Sequence, residues 1–344
     1  MIVRRSLSLK RLIQWSGHHF TWLISGSAFF TYAYQQEWIQ IEIPWLPMSI
    51  IGTAVAFYVG FKNNSAYDRM WEARKIWGGI VNSSRAWGSY VDGYLSNQFT
   101  KEEFSEGELH HVKQRLIYRH IAWLYALRSQ LLKVTSWEHA SQRGPIGRTA
   151  RYYQQSFGIG LVDDEVTKIE LRNFLPANEH DRLINNVNTA TQIINEQFRD
   201  LKDLRKQDLI DDFRHMAMGQ VLYDFYELQG KCERIKKFPL PRQYANMSRY
   251  FVGIFIFLLP FSMIPALLGA GTLNFTVTIL VTALLGWVYV MMEIVGDYTE
   301  NPFQGMANDI PMLSLSRVIE IDLREILGET DLPANIEEKE GVLM

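Results

Sequence analysis

Three long stretches without a single Asp, Glu, Lys or Arg decide what this chain can fold into: Leu12–Gln36, Ile43–Phe61 and Tyr250–Met292. A bilayer's hydrocarbon core is crossed by about 20 apolar residues of helix. The first stretch supplies one span at about 17–34, with Trp22, Tyr32 and Tyr34 as interfacial aromatics. The second supplies a span at about 44–61, with Pro44 and Pro47 in a first turn that tolerates proline. The third is too long for one helix. "LLGAGTLN" divides it into spans of about 250–268 and 273–293, and Pro260 and Pro265 should kink the first of these. The opening "RRSLSLKRLIQW" looks like the start of a signal peptide, but no small-residue cleavage site follows, and a second apolar stretch arrives at once.

Lys and Arg near span ends set orientation. Arg4, Arg5, Lys10 and Arg11 precede the first span, Lys62, Arg69, Arg74 and Lys75 follow the second, and Lys236, Lys237, Arg242 and Arg249 precede the third. The short loops "QQEWIQIEIP" and "GAGTLN" carry neither residue. The expectation is an integral protein of the cell (inner) membrane, with four spans and both termini cytoplasmic. Its segments are 1–61 (N-terminal segment and spans one and two), 62–249 (helical cytoplasmic domain), 250–293 (spans three and four) and 294–344 (cytoplasmic tail).

The middle segment reads as helix. Val112, Leu116, Ile117, Ile121, Leu124 and Leu127 recur at helical spacing, and so do Leu209, Phe213, Met216, Val221, Leu222 and Phe225. Between these runs, "TSWEHASQRGPIGRTARYYQQSFGIG" has turn chemistry without a period and reads as a loop or an insertion. The fold class is therefore an all-α membrane protein.

Function classes fall away by composition. The net charge of −2 gives no basic field for nucleic acid. The single cysteine, Cys232, leaves no disulfide framework or zinc ribbon. No nucleotide loop, nucleophile elbow or paired zinc-ligand motif occurs. The histidine pairs at 18–19 and 110–111 point apart on a helix, while His120 and His139 stand alone. The acidic runs "DDEVTKIE" and "DLIDDF" read as helix-face charge. No cofactor, no metal and no catalytic residue is expected.

The second span carries two stripes at four-residue spacing. Gly52, Ala56 and Gly60 are small and let another helix approach closely. Thr53, Phe57 and Phe61 lie about 100° further round. That second stripe either faces lipid and bundle core, or, with several copies of the helix around an axis, forms a hydrophobic constriction that gates ions by dewetting. Immediately after it the helix continues into Asp68, Arg69, Glu72, Arg74 and Lys75 without a breaker.

"GFKNNSAYDRMWEARKIWG", "GKCERIKKFPLPRQY" and "ENPFQGMANDIPM", in that order along nearly the whole chain, resemble the bestrophin family in its bacterial and fungal branch. The resemblance implies a homopentameric channel in the lipid bilayer with one axial pore for small monovalent ions. Each protomer would contribute four spans and a helical cytoplasmic domain. Chloride is the ion the family implies, and cation selectivity stays open. The neck would comprise Phe57, Phe61 and Thr53, where the family usually has an aliphatic side chain. The cytoplasmic aperture would fall at Ile235, with Phe238 as the alternative. Gln304 replaces the glycine of the family's "NPFG". Calcium-gated members follow that motif with consecutive carboxylates, and Ca²⁺ takes roughly six to eight oxygen ligands. Here Gln304–Ile310 offers Asp309 alone, so no high-affinity calcium site is expected. The competing readings are a secondary transporter and a membrane-anchored scaffold or enzyme.

Overall fold

A computed structural model describes residues 1–3, 9–101, 103–158, 170–269, 271 and 274–344. Arg4 and Arg5, the acidic run at 163–169 and positions 270, 272 and 273 of the expected divider lie outside them. Among the described residues the architecture is helical, and β-pairing is confined to isolated bridges. The chain divides into two compact units. One comprises Arg4–Arg69 and Pro239–Glu300; the other comprises Met1–Val3, Met70–Phe238 and Asn301–Met344.

The first unit holds α1 (Leu9–Gln35), the first half of α2 (Trp45–Tyr94), α8 (Arg242–Ile264) and α9 (Phe275–Thr299). Among the described residues three helices are long and apolar enough to cross a membrane: α2, α8 with its continuation to Gly269, and α9. α1 covers the expected first span but is not among the three. His18, His19 and several hydroxyls dilute its hydropathy. Part of that polarity is absorbed inside the helix, because Ser16, Ser25 and Thr31 donate to the carbonyls of Leu12, Thr21 and Ser27 at 2.7–2.9 Å. Met48, Val55 and Val59 of α2 pack with Val252, Phe255, Leu259 and Met263 of α8. A second cluster, Leu23, Ala283 and Val290, joins α1 to α9. Two glycines set these close approaches. A Cβ on Gly52 would stand 2.9 Å from the Phe255 ring, and one on Gly286 would stand 3.0 Å from Leu23. α9 opens on Asn274, whose side chain accepts the Val277 N–H at 3.0 Å and so satisfies one of the free amides of the first turn.

The second unit is built around α3 (Glu106–Leu132), which starts on a reciprocal capping box between Ser105 and Glu108. Leu116, Ile117, Ile121, Leu124 and Leu127 are buried as the period predicts, and Val112 packs at the edge. The other helices are α4 (Pro145–Phe157), α5 (Ala177–Leu183), α6 (Thr189–Lys206), α7 (Asp212–Lys237), α10 (Met312–Ile326) and the second half of α2. The stretch expected as a loop or an insertion contains α4. Its start is set by Gly144 at φ 109 and by Pro145 at the first helical position, where a missing N–H costs nothing. α7 needs a second correction. Leu209, just ahead of it, and Val221, Leu222 and Phe225 within it are buried, but Phe213 is 87% and Met216 72% exposed. These two share an open face with Gln220 and Tyr223 instead of joining the core.

Candidate functional site

α2 runs unbroken through 50 residues, so the apolar span does pass directly into the charged helix. No proline interrupts it after Pro47, and the glycines along it, such as Gly52, Gly60, Gly78 and Gly79, weaken the helix without breaking it. Within the unit that contains Trp45–Arg69, the face toward α8 buries Met48, Gly52, Val55, Val59, Lys62 and Ala66. The opposite face leaves Thr53, Phe57 and Phe61 exposed, the two rings at 65% and 63%. Those rings follow one another along the helix with centroids 6.3 Å apart and planes tilted by 39°, and Thr53 Oγ1 donates back to the Ser49 carbonyl at 2.9 Å. Asp68 lies exposed seven residues beyond Phe61, on the same side of the helix, and receives the Asn64 amide at 3.4 Å. Of the two glycines in the small-residue stripe, Gly52 meets a neighbouring helix and Gly60 does not. Ala56 is half-buried, and a Cβ on Gly60 would meet nothing within 4 Å.

A buried charge cluster secures the back of this face. Lys62 is fully buried and donates to Glu293 of α9, whose Oε1 also accepts from Ser248 of α8 at 2.9 Å. Asn63 donates to the Met292 carbonyl at 2.8 Å, and its side chain occupies the space a Cβ on Gly296 would need. The sequence reading treated Lys62 only as an orientation charge. The signal it missed was Glu293, the first acid after the long apolar run of α9, which must find a cation or stay neutral.

In the other unit, the two aperture candidates separate. Ile235 is 4% exposed and belongs to the helical core, whereas Phe238, which ends α7, is 66% exposed. Burial of Ile235 argues against it as a side chain lining an aqueous passage. Beside it, Lys236 pairs with Glu138, both under 8% exposed, and donates to the Phe303 carbonyl at 3.3 Å. Burial depresses the Lys236 ammonium, and the Glu138 carboxylate opposes that. Glu72 of the charged run pairs with Arg234 of α7 at 2.5 Å.

The loop that follows α9 has its own closure. Asp309 Oδ2 accepts the backbone N–H groups of Gln304, Gly305 and Met306 at 2.7–3.0 Å. Burial pushes this carboxyl up to about 7 against the pull of those amides. Gln304 is buried, and its Oε1 accepts from the His139 backbone at 3.1 Å and lies 2.9 Å from His139 Nδ1. Gln304 is therefore a cross-link to His139, at the start of the 3-10 turn His139–Ser141, and Gly305 at φ 88 supplies the left-handed turn beside it. His120 is buried against Trp123 and Phe225, with Nε2 2.9 Å from Ser84 Oγ, and desolvation lowers it to about 3. Among the described residues no three His, Cys, Asp or Glu side chains gather at a metal-sized site.

The family profile described as "Bacterial/Fungal Bestrophin protein" matches residues 13–325. The chain belongs to the bacterial and fungal bestrophin family. Among its curated relatives, the bestrophin sequence is 24% identical over 296 residues to the voltage-dependent anion channel-forming protein YneE of Escherichia coli K12, covering 86% of this chain and 81% of that one. It is 25% identical to the voltage-dependent anion channel-forming protein RSc3414 of Ralstonia nicotianae over 96% of both chains. Its fold is shared with a bacterial bestrophin homologue from Klebsiella pneumoniae, with a TM-score of 0.71 at 22% identity over 91% of this chain and 98% of that one.

Proposed function

We propose that this bestrophin is the subunit of a membrane channel for small monovalent anions. Copies of the chain surround an axis with the Thr53–Phe57–Phe61 face of α2 turned inward. The observation that carries this reading is that face itself. A protomer that buries Met48, Val55 and Val59 in its own core leaves two phenylalanines and a threonine, in helical register, with nothing to cover them. Rings of phenyl groups exclude water from a narrow passage and so control ion entry without carrying a sign of charge. The names of the relatives support anions as the permeant class. In this reading α1, α2, α8 and α9 supply four spans, both termini lie on the cytoplasmic side, five protomers close the ring, and Phe238 lines the cytoplasmic aperture. As a cyclic homo-oligomer it repeats each of these residues around the axis.

Planar bilayers containing purified protein test the function. The expected result is unitary current steps whose reversal potential in asymmetric chloride salt follows the anion gradient. A reversal that follows the cation gradient would replace the ion, and an absence of steps over many reconstitutions would remove the channel. Mass measurement in detergent tests the ring, since a monomer as the only species is incompatible with it.

A further inference from the structure

Within the unit formed by Arg4–Arg69 and Pro239–Glu300, each exposed ring of α2 is followed in the chain by a side chain tied to a neighbouring helix. After Phe57 comes Tyr58, whose hydroxyl donates to the Tyr244 carbonyl of α8 at 3.2 Å and whose ring meets Phe251 edge-on at 5.2 Å. After Phe61 comes Lys62, fully buried and donating to Glu293 of α9. Asn63 then donates to the carbonyl of Met292, the neighbour of Glu293, at 2.8 Å. Successive residues of a helix lie about 100° apart, so these ties hold the sides of α2 that flank the ring-bearing stripe. Earlier in the helix, Met48, Val55 and Val59 meet α8 through apolar contacts. Such contacts fill space but have no direction.

The pair of Lys62 and Glu293 is a poor device for stability. Two buried charges lose their hydration, and apolar residues of the same volume often do as well or better. The carboxylate is also unevenly served. Ser248 donates at 2.9 Å to Oε1, the oxygen Lys62 already holds, while Oε2 is shut away from solvent with no hydrogen-bond partner among the described residues. What a buried pair does supply is geometry, because it holds in one arrangement only. A turn of α2 by one residue would carry the ammonium off α9 and strand the carboxylate.

We propose that Lys62 is a positioning residue of the neck: held by Glu293, it fixes the rotation of α2 at which Phe57 and Phe61 face the axis. It touches no permeant ion and acts through the rings beside it. Lys62 has this role only if α2 lines a pore, as proposed above.

Phe61→Cys, made in the full chain and recorded in planar bilayers, reports the rotation through the rate at which a sulfonated methanethiosulfonate, applied to both sides, blocks current. Cys232 is fully buried, so the parent chain is the blank. The expected result is rapid block of Phe61→Cys and none of the parent. Adding Lys62→Met with Glu293→Gln removes both charges, leaves the net charge of the site unchanged and keeps an acceptor for Ser248. It should slow the block about tenfold, the low end of what a hydrogen bond to a charged group is worth. Lys62→Arg keeps the charge and should keep the parent rate. If the double variant fails to assemble, Ser248→Ala takes its place and should slow the block about threefold, the low end for a neutral donor. An assembled double variant, or a Ser248→Ala chain standing in for it, that is blocked at the parent rate would overturn the positioning role and leave the channel intact. So would a Lys62→Arg chain as slow as the double variant. A Phe61→Cys chain that conducts and is never blocked would take Phe61 out of the pore, and the role of Lys62 with it.

Discussion

The two long helices α3 and α2 invert the usual relation between polarity and burial. From Leu116 to Leu132, α3 is almost wholly buried although the stretch includes Arg119, His120 and Arg128. The first half of α2 has no charge before Lys62, yet leaves Leu46, Ile50, Phe57 and Phe61 outside. The difference lies in what each unit has to satisfy. In the channel reading the unit around α3 stands in water, and in its poorly polar interior a buried charge is kept only by being paired. Arg119 makes a two-pronged pair with Glu179 at 2.6 and 2.8 Å and also reaches Gln197 and Asp200. Around α2 an apolar side chain gains nothing by turning inward, because its neighbours outside are lipid or, in the channel reading, a dewetted axis and other copies of the helix.

This contrast can be broken most forcefully at Arg119. Replacing it with Met leaves the buried Glu179 carboxylate unpaired and should cost about 3–5 kcal/mol, seen as a large drop in the melting temperature of the detergent-solubilised protein. Adding Glu179→Leu with Asp200→Asn should recover much of the loss. A single variant that melts within a degree or two of the parent would show that the cluster is not what holds α3.

A smaller effect is expected at His120. Its folded value of about 3 lies below the ordinary 6.5, so the unfolded chain binds a proton that the folded one refuses. Stability is complete above pH 6.5 and falls as the pH drops toward 3. Between pH 6.5 and 4.5 the loss is about 2 kcal/mol for a fully buried imidazole. His120→Gln, which keeps a polar contact for Ser84, should flatten the pH dependence of chemical unfolding across that interval, and an unchanged slope would assign the acid sensitivity elsewhere.

On α2 the same kind of truncation should leave the fold almost untouched. Phe57→Ala and Phe61→Ala delete exposed rings, so stability should move by under about 0.5 kcal/mol, while bilayer current or leak increases. Thr53→Ile, which adds apolar bulk to the same face, should reduce conductance. If both alanine variants fail to assemble, the rings are packing residues and the contrast with α3 disappears. Smallest of all is the expected response to calcium. Asp309 already closes its own loop, and current should stay constant as cytoplasmic Ca²⁺ rises from nanomolar to about 10 micromolar, the upper end of sensor affinities. A reversible increase abolished by Asp309→Ala would place a cation at that loop.

The helical fold class and α3 were legible because an apolar period records burial. What covers a face is not recorded that way. Phe213 and Met216 satisfy the same spacing as Val221 and Phe225 and end on the opposite side of α7. Ile235 and Phe238 stand three residues apart, and only the packing of the helix end separates them. α4 and α10 are short, and turn residues hide the entry to the first. At the candidate site the stripe Thr53–Phe57–Phe61 was readable from spacing. The pairing of Lys62 with Glu293 was not, because it joins segments that no local pattern relates.

That pairing has a consequence for the order in which the protein is made. Lys62 and Glu293 are 231 residues apart in the chain. At translation rates of about 5–20 residues per second, α2 emerges roughly 10–50 s before the acid that neutralises it. During that interval the lysine must snorkel to the surface or hold α2 short of its final depth. α2 is therefore expected to be seated provisionally, and to lock only when α9 follows. Truncated nascent chains ending before Glu293 should leave a cysteine placed at Ala66, which is fully buried on the same face as Lys62, open to a water-soluble thiol reagent that the finished protein excludes. Equal labelling of the two would mean that α2 reaches its place alone.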